Sequence, residues 1–418
     1  MYRLVLAGLL PVVLAAPAAA QNPQIVTEAE FLSVLDGSHP AVVESAEALA
    51  LARARVLEAS RVENPVLGIA REDPSGPVEQ TDWTVSWRLP DPARRPEIES
   101  RERTADAAEA RFSQDLLSLR QAMREVYAEW AVATARRERL AAQAARVAAL
   151  AGREALRAEQ GEAAGLEAHR LSLAAGGLEA RAALAAAAAD EARARARGWH
   201  PGLPADAEPL LPPLPPAPPE AGAGHPSLRA AEEDLAAAEL AQEAVGRFVR
   251  SPELSVGWQR QEAGAESIDG PILGLAWSVP VLDRNRAERA AADARTSGAR
   301  ARLERVRRDL DAGRAAARAA FDRLASALED ARAGLVGNER MLDGAEAAFR
   351  HGEASLTDLL ETQRSVTESE LAVLDLHAAA LAAHRALERL AGSATPPGDP
   401  SRPGLHPDPG PTPREDLP

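Results

Sequence analysis

The 418-residue chain has no cysteine, only three methionines and 3% aromatic residues, and every one of its 48 basic residues is arginine. Without cysteine there are no disulfides, no thiolate metal sites and no lipid-modified cysteine at a mature N-terminus, so any membrane anchoring is noncovalent. Against 63 acidic residues the formal net charge is −15, which argues against nucleic acid, since phosphate binding needs a basic surface. The length would allow two or three ordinary domains, but the 46% hydrophobic content is mostly alanine and thin for globular cores. Long helices packed through small side chains fit better. Beyond the N-terminus, charges break every candidate for a spanning helix of roughly 20 apolar residues. A mature chain that crosses a membrane is therefore expected to do so by strands.

What is present begins with an export signal. Arg3, the apolar run Leu4 to Ala16 and Ala18-Ala19-Ala20 before Gln21 form a secretory pattern with small residues at the cleavage site, giving residues 1–20 as a signal peptide. An N-terminal membrane helix is the weaker reading, because the run is short and Pro11 and Pro17 interrupt it.

The mature chain is a duplication. Ser38-His39-Pro40 through Asn64-Pro65-Val66-Leu67-Gly68 recurs as Gly224-His225-Pro226 through Ser251-Pro252-Glu253-Leu254-Ser255-Val256-Gly257, an offset of 225 − 39 = 186. The repeat predicts a first unit at 21–202, a Pro-rich connector at 203–224, a second unit at 225–392 and a Pro-rich disordered tail at 393–418. Each unit reads as helix, two strands, long helix and shorter helix, a mainly α fold with a small β part.

The strands carry a period of two. Trp83, Val85, Trp87 and Leu89 alternate with Thr84, Ser86 and Arg88, and Val66 to Glu72 supplies the partner across the Asp73-Pro74-Ser75-Gly76-Pro77 turn. In the second unit Leu254, Val256 and Trp258 alternate with Ser255, Gly257 and Gln259, and Leu273, Leu275, Trp277 and Val279 with Gly274, Ala276 and Ser278. About nine residues is the length of a tilted membrane strand. We therefore expect Trp83, Val85, Trp87, Trp258 and Trp277 to face lipid. Soluble hairpins covering a helical core are the alternative. Four strands leave open edges in lipid, so an oligomer must complete a barrel.

Between the strand pairs the apolar spacing is that of coiled coils. Phe112, Leu116, Leu119, Met123, Val126, Trp130, Ala133, Leu140, Ala144 and Val147 keep a 4-3 rhythm, as do Leu324, Leu328, Ala331, Leu335, Asn338, Leu342, Ala345 and Phe349. One helix from Asp91 to Glu159 would extend roughly 100 Å. Near-identical interruptions follow, Gln160-Gly161-Glu162-Ala163 and His351-Gly352-Glu353-Ala354, where glycine can take a positive φ at a helix end.

These features together resemble the TolC-like outer-membrane factors, the outer membrane efflux protein family, over Ala29 to Gly392. The segment Phe349-Arg350-His351-Gly352-Glu353-Ala354-Ser355-Leu356-Thr357-Asp358-Leu359-Leu360-Glu361 looks like that family's tip motif, repeated at Gly161 to Glu167. The resemblance implies a homotrimer in which long antiparallel helical hairpins form an α-helical tunnel. Four strands per chain would make a twelve-stranded outer-membrane β-barrel. It also implies that Gly161, Phe349 and Gly352 mark a periplasmic tip where a membrane-fusion adaptor docks. Cargo would come from an inner-membrane pump, of the resistance-nodulation-division type for efflux, so the chain itself would couple no energy source, and no cofactor is expected. Phe349 stands where the family often has a hydroxylated aromatic, and Ala354 where some members are basic, so closure must rest on packing or other pairs.

Asp358 and Glu361 are three apart on one helical face, and Glu167 matches Asp358, since 352 − 161 and 358 − 167 both equal 191. With threefold symmetry they would form an acidic aperture ring favouring cations; a solvated acidic helix start is the plainer reading. No nucleophile motif, phosphate loop or metal-ligand cluster stands out, so neither catalytic nor metal residues are expected. His377 and His384, seven apart, fit a heptad position better than a metal site. For cargo, the compact loops and the Gly-Glu-Ala-Ser tip resemble the heavy-metal efflux branch, with drug efflux close behind. A type I protein secretion duct and a periplasmic coiled-coil scaffold without a channel are the remaining alternatives.

Overall fold

The computed structural model describes residues 24–72, 78–89, 91, 93–161, 165–218, 224–246, 251–263, 266–277 and 285–392. The signal segment, the Asp73–Pro77 turn, Val279 and the C-terminal tail lie outside them.

The first half runs β1 (Ile25–Val26), α1 (Glu28–Leu32), α2 (Pro40–Ser60), β2 (Val66–Glu72), β3 (Val78–Arg88), α3 (Arg94–Glu159) and α4 (Gly165–Trp199). After β4 (Glu208–Pro209), the second half runs α5 (Pro226–Gly246), β5 (Glu253–Ala263), β6 (Glu266–Ala276), α6 (Arg286–Gly334), α7 (Asn338–Arg350) and α8 (Leu356–Ala391). The duplication is visible in detail. α2 and α5 are both 21 residues long and both open on proline. In each, the preceding histidine accepts a backbone N–H through Nδ1, His39 from Ala41 at 3.3 Å and His225 from Ser227 at 3.2 Å. Proline at the first helical position needs no N–H partner, and the histidine satisfies the next one.

α3 is one unbroken helix of 66 residues, about 100 Å at 1.5 Å per residue. Its heptad positions Met123, Trp130, Leu140, Ala144 and Val147 are buried. Burial also takes in Tyr127 and Ala131, which the strict rhythm omits, because α3 packs against several elements around its circumference. The second half departs from expectation. The rhythm from Leu324 to Phe349 predicts a continuous helix, yet α6 ends at Gly334 and α7 begins only at Asn338. Gly337 takes φ +99° there, a left-handed conformation that stops an α-helix and favours glycine.

α4 also corrects the sequence reading. An 18-residue window within it has a mean hydropathy of 1.2, so by length and composition α4 could cross a membrane, against the expectation that charges break every such run. The apolarity is largely alanine, and Ala175, Ala185, Ala189, Ala192 and Ala196 are buried as α4 runs along α3. Many alanines together raise a hydropathy average, while each methyl group buries little area.

Residues 203–218 of the Pro-rich connector are strapped to both halves. β4 pairs in parallel with β1, and the Tyr127 hydroxyl sits beneath both strands. It accepts the Leu210 N–H at 3.0 Å and lies 2.8 Å from the Val26 and Leu210 carbonyls. Burial pushes the Tyr127 phenol well above its ordinary range. Further along, His377 Nε2 donates to the Pro212 carbonyl at 2.8 Å and His384 Nε2 to that of Pro216 at 3.0 Å. Two histidines seven apart on one helix face thus meet two carbonyls four apart on an extended chain. Nearby, Glu28 of α1, Arg124 of α3 and Arg385 and Glu388 of α8 form a largely buried ion cluster. Burial pushes the Glu388 carboxyl up, but His384 and Arg124 outweigh it and hold it below the usual range. Removing one partner from such a cluster costs about 3–5 kcal/mol.

The strap makes stability depend on pH. Burial holds the His377 imidazole below its ordinary pKa, the Pro212 carbonyl partly offsets this, and Arg332, 2.8 Å from Nδ1, lowers it further. The unfolded chain therefore binds the proton first, so stability is full above the ordinary imidazole pKa and falls as pH drops below it. Unfolding measured from about pH 7.5 to about pH 5.5 is expected to show this decline, with a shallower slope in His377→Gln.

Candidate functional site

Two regions gather the residues singled out by sequence: the four-stranded sheet and the ends of the helical hairpins. In the sheet the order is β2-β3-β5-β6, antiparallel throughout. The two halves meet at its centre, where β3 pairs with β5 over eleven residues. Register aligns Ile69, Trp83, Trp258 and Pro271 across one row and Leu67, Val85, Val256 and Leu273 across the next. All these apolar residues except Pro271 are exposed large hydrophobics, as are Trp87 and Trp277, the latter one residue past β6. An apolar face of this extent on a free protomer marks an interaction surface or a membrane.

The opposite face mixes small and polar residues with aliphatic ones on the outer strands. Gly68, Thr84, Gly257 and Ile272 share one row, Val66, Ser86, Ser255 and Gly274 the next but one, and Ala70, Asp82, Gln259 and Gly270 a third. A Cβ added at Gly257 would run into the Trp83 carbonyl, and one at Gly274 into the Ser255 hydroxyl. Gly257 and Gly274 therefore stand where the neighbouring strand leaves no room for a side chain, on the face opposite the tryptophans. Among the described residues, β2 and β6 each leave one edge of this sheet without a partner strand.

At the hairpin ends, Gly161 and Gly352 take φ +79° and +74°. Behind Gly352 the Glu353 N–H returns to the Ala348 carbonyl at 2.8 Å, closing the end of α7. α8 then starts at a capping box. The Asp358 carboxylate accepts the Ser355 N–H at 3.0 Å and the Ser355 hydroxyl at 2.6 Å, while the Asp358 N–H donates to Ser355 Oγ at 3.2 Å. The Ser355 hydroxyl, followed by its N–H, holds the Asp358 carboxyl below its usual range. The Ser355-Leu356-Thr357-Asp358 spacing already carried this signal.

Glu361, one turn on, is exposed, and Glu167 is half-buried in the first turn of α4. Glu162 lies outside the described residues. Phe349 is packed inward, against a core of Val147, Leu150, Ala151, Leu171, Ala175, Leu356 and Leu359. It holds the two hairpins together beneath the turns. Arg146 reinforces that contact from α3, reaching Asp343 at 2.8 Å and Glu346 at 3.2 Å on α7. Its partners lie almost 200 residues away, beyond the reach of any local sequence signal.

No group of three or more metal-ligating side chains occurs among the described residues. The strap hydrogen bonds of His377 and His384 account for both imidazoles without a metal.

Residues 217–393 match the family model described as Outer membrane efflux protein. The fold is shared with several solved structures. The outer-membrane channel OprN is 19% identical, with 87% of this chain and 89% of that one covered at a TM-score of 0.72. CusC, solved in relation to folding and transmembrane channel formation, is 16% identical over 86% and 91% at 0.71. A membrane protein from Pseudomonas aeruginosa is 17% identical over 92% and 97% at 0.74. No curated protein matches the sequence. At these identities the likeness is one of fold.

The turn geometry predicts a contrast between two glycines of α7 and its end. Gly352→Ala forces a left-handed residue with a Cβ and is expected to destabilise by about 1–2 kcal/mol. Gly344→Ala, inside the helix with open space around it, is expected to stabilise by up to about 1 kcal/mol. Chemical unfolding of both variants, compared with the parent chain, checks the sign and the order.

Proposed function

We propose that this chain, whose residues 217–393 match the outer membrane efflux protein family model, is the outer-membrane exit duct of a tripartite efflux system. One observation carries the reading: a sheet with a continuous apolar face, an opposite face of mostly small and polar residues, and two edges without a partner strand among the described residues. In lipid every backbone polar group needs a partner, so such a sheet must be closed. Three chains supply twelve strands, each β6 edge meeting a neighbour's β2 edge. The helices then extend from the barrel into the periplasm as a tunnel. The glycine turns lie at its far end, where a membrane-fusion adaptor docks and an inner-membrane pump delivers cargo. The duct is passive and catalyses no reaction.

For cargo we favour metal cations or small toxic compounds over secreted protein. The support is the exposed, ionised Asp358 at the start of α8 with Glu361 one turn beyond. Repeated three times around an aperture, these carboxylates would concentrate cations at the entrance. A periplasmic coiled-coil scaffold without a channel accounts for the helices but gives no role to the tryptophan-bearing sheet face. Membrane fractionation with native mass measurement separates the two, and a soluble monomer or dimer would sink the channel reading.

Two variants test the assignment in more detail. Val85→Arg puts charge on the lipid side and is expected to cost about 2–4 kcal/mol near the midplane, whereas Ser86→Arg faces the lumen. Heat-modifiable trimer on gels should be lost in the first and retained in the second; equal tolerance contradicts the alternation. Asp358→Asn combined with Glu361→Gln keeps size and removes charge. Single-channel recordings of the assembled trimer should show weaker cation preference and weaker block by multivalent cations, and unchanged selectivity would place these residues away from the pore.

A further inference from the structure

The junction between sheet and helices holds a charged cleft that the duct itself does not require. Its volume is about 520 Å³, and it lies where the end of α2, the end of β3 and the start of α3 meet. Five arginines line it: Arg55, Arg61, Arg88, Arg94 and Arg101. Two are ion-paired, Arg88 with Glu63 at 3.3 Å and Arg101 with Glu97 at 3.9 Å. Arg94 donates to the Ser60 carbonyl at 2.7 Å, a neutral partner that leaves its charge uncompensated. Arg55 and Arg61 make no ion pair among the described residues. Of the remaining acids, Asp91 accepts the Ala93 N–H at 2.7 Å, and Glu58 has no cationic partner there. The cleft thus offers, among the described residues, three guanidinium groups without an acidic partner beside two carboxylates without a basic one, Glu58 and Asp91, a net excess of one positive charge, with Val62 and Leu89 as apolar wall.

Its height on the molecule gives the cleft its meaning. The last apolar row of the sheet aligns Trp87, Leu254 and Leu275, and Arg88 follows Trp87 by one residue, about 3.3 Å along the strand. If the sheet spans the membrane, the cleft opens at the level of the lipid headgroups. At the 186-residue offset Arg55 and Glu58 correspond to Ala241 and Ala244 of α5, whereas Arg61 recurs as Arg247, so Arg55 and Glu58 are not demanded by the repeat.

We infer that this cleft binds the phosphate-bearing headgroup of a membrane phospholipid. Planar guanidinium groups take phosphate oxygens in paired, charge-assisted hydrogen bonds, and the Glu58 carboxylate suits the amine of an ethanolamine headgroup. Acyl chains would continue up the apolar face past Leu89 and Trp87. In a chain without cysteine, three such lipids would tie the trimer to the inner leaflet without a covalent anchor.

The inference rests on the membrane assignment of the sheet, so fractionation of the parent chain comes first; a soluble chain overturns that assignment and this site with it. The membrane-extracted trimer is then titrated with dioleoyl phosphatidylethanolamine and followed by native mass spectrometry. Lipid should be retained up to one per protomer, and dioleoylglycerol, which lacks the phosphate, should not. Arg55→Gln with Arg61→Gln, both at exposed positions, should leave the trimer mass unchanged and weaken lipid retention about tenfold. Equal retention by the double variant and the parent trimer overturns the site. Displacement of the lipid by millimolar inorganic phosphate overturns the lipid assignment in favour of a soluble phosphate anion.

Discussion

A backbone N–H or C=O left without a partner in hydrocarbon costs several kcal/mol, and a sheet of four strands presents two rows of them. That requirement organises the molecule. It explains why the chain carries two strand pairs rather than one, why β3 and β5 join the halves at the centre of the sheet, and why β2 and β6 end it with matching free edges. A single chain cannot meet the requirement, and it makes assembly part of folding. In the proposed duct, closure and membrane entry together cover the exposed tryptophans and leucines.

Below the sheet a different constraint operates. Helices near 100 Å long have no central core to bury into, so each contact must be made locally and repeated along the length. Alanine serves this by letting helix axes approach closely, and larger residues mark where the packing must be specific. Tyr127 and Trp130 meet edge to face, with ring centroids 6.1 Å apart, and Phe31 lies 5.6 Å from Tyr127. At the hairpin ends Phe349 and its leucine neighbours do the same. Between these two points the halves differ mechanically, since α3 is a continuous rod while its counterpart is jointed at Gly337.

Much of this was legible in residue order. Period-two alternation around Trp83, Val85 and Trp87 marks a strand because few other structures place aromatics on every second residue. The turns at Gly161 and Gly352 were visible because duplication shows one motif twice. The misses share a cause. Gly337 sits inside a heptad rhythm that runs on past it, and periodicity does not register a single left-handed residue. The partners of His377 and His384 are main-chain carbonyls, which no side-chain pattern reports. The ion cluster of Glu28, Arg124, Arg385 and Glu388 joins residues separated by as many as 357 positions. The phosphate cleft escaped for a related reason: its arginines come from two helices and a strand, and only the fold counts them together.

The small residues on the face opposite the tryptophans have a consequence for traffic. Around Gly68, Gly257, Ser255 and Gly274 little side chain would project into a closed barrel, and the bore there would be set by the backbone itself. Such a stretch offers passing molecules few groups to grip and sorts little of what enters it. Discrimination among cargoes then belongs to the entrance and to whatever loads it, and the barrel could change its clientele by changing partners while its own strands stay as they are.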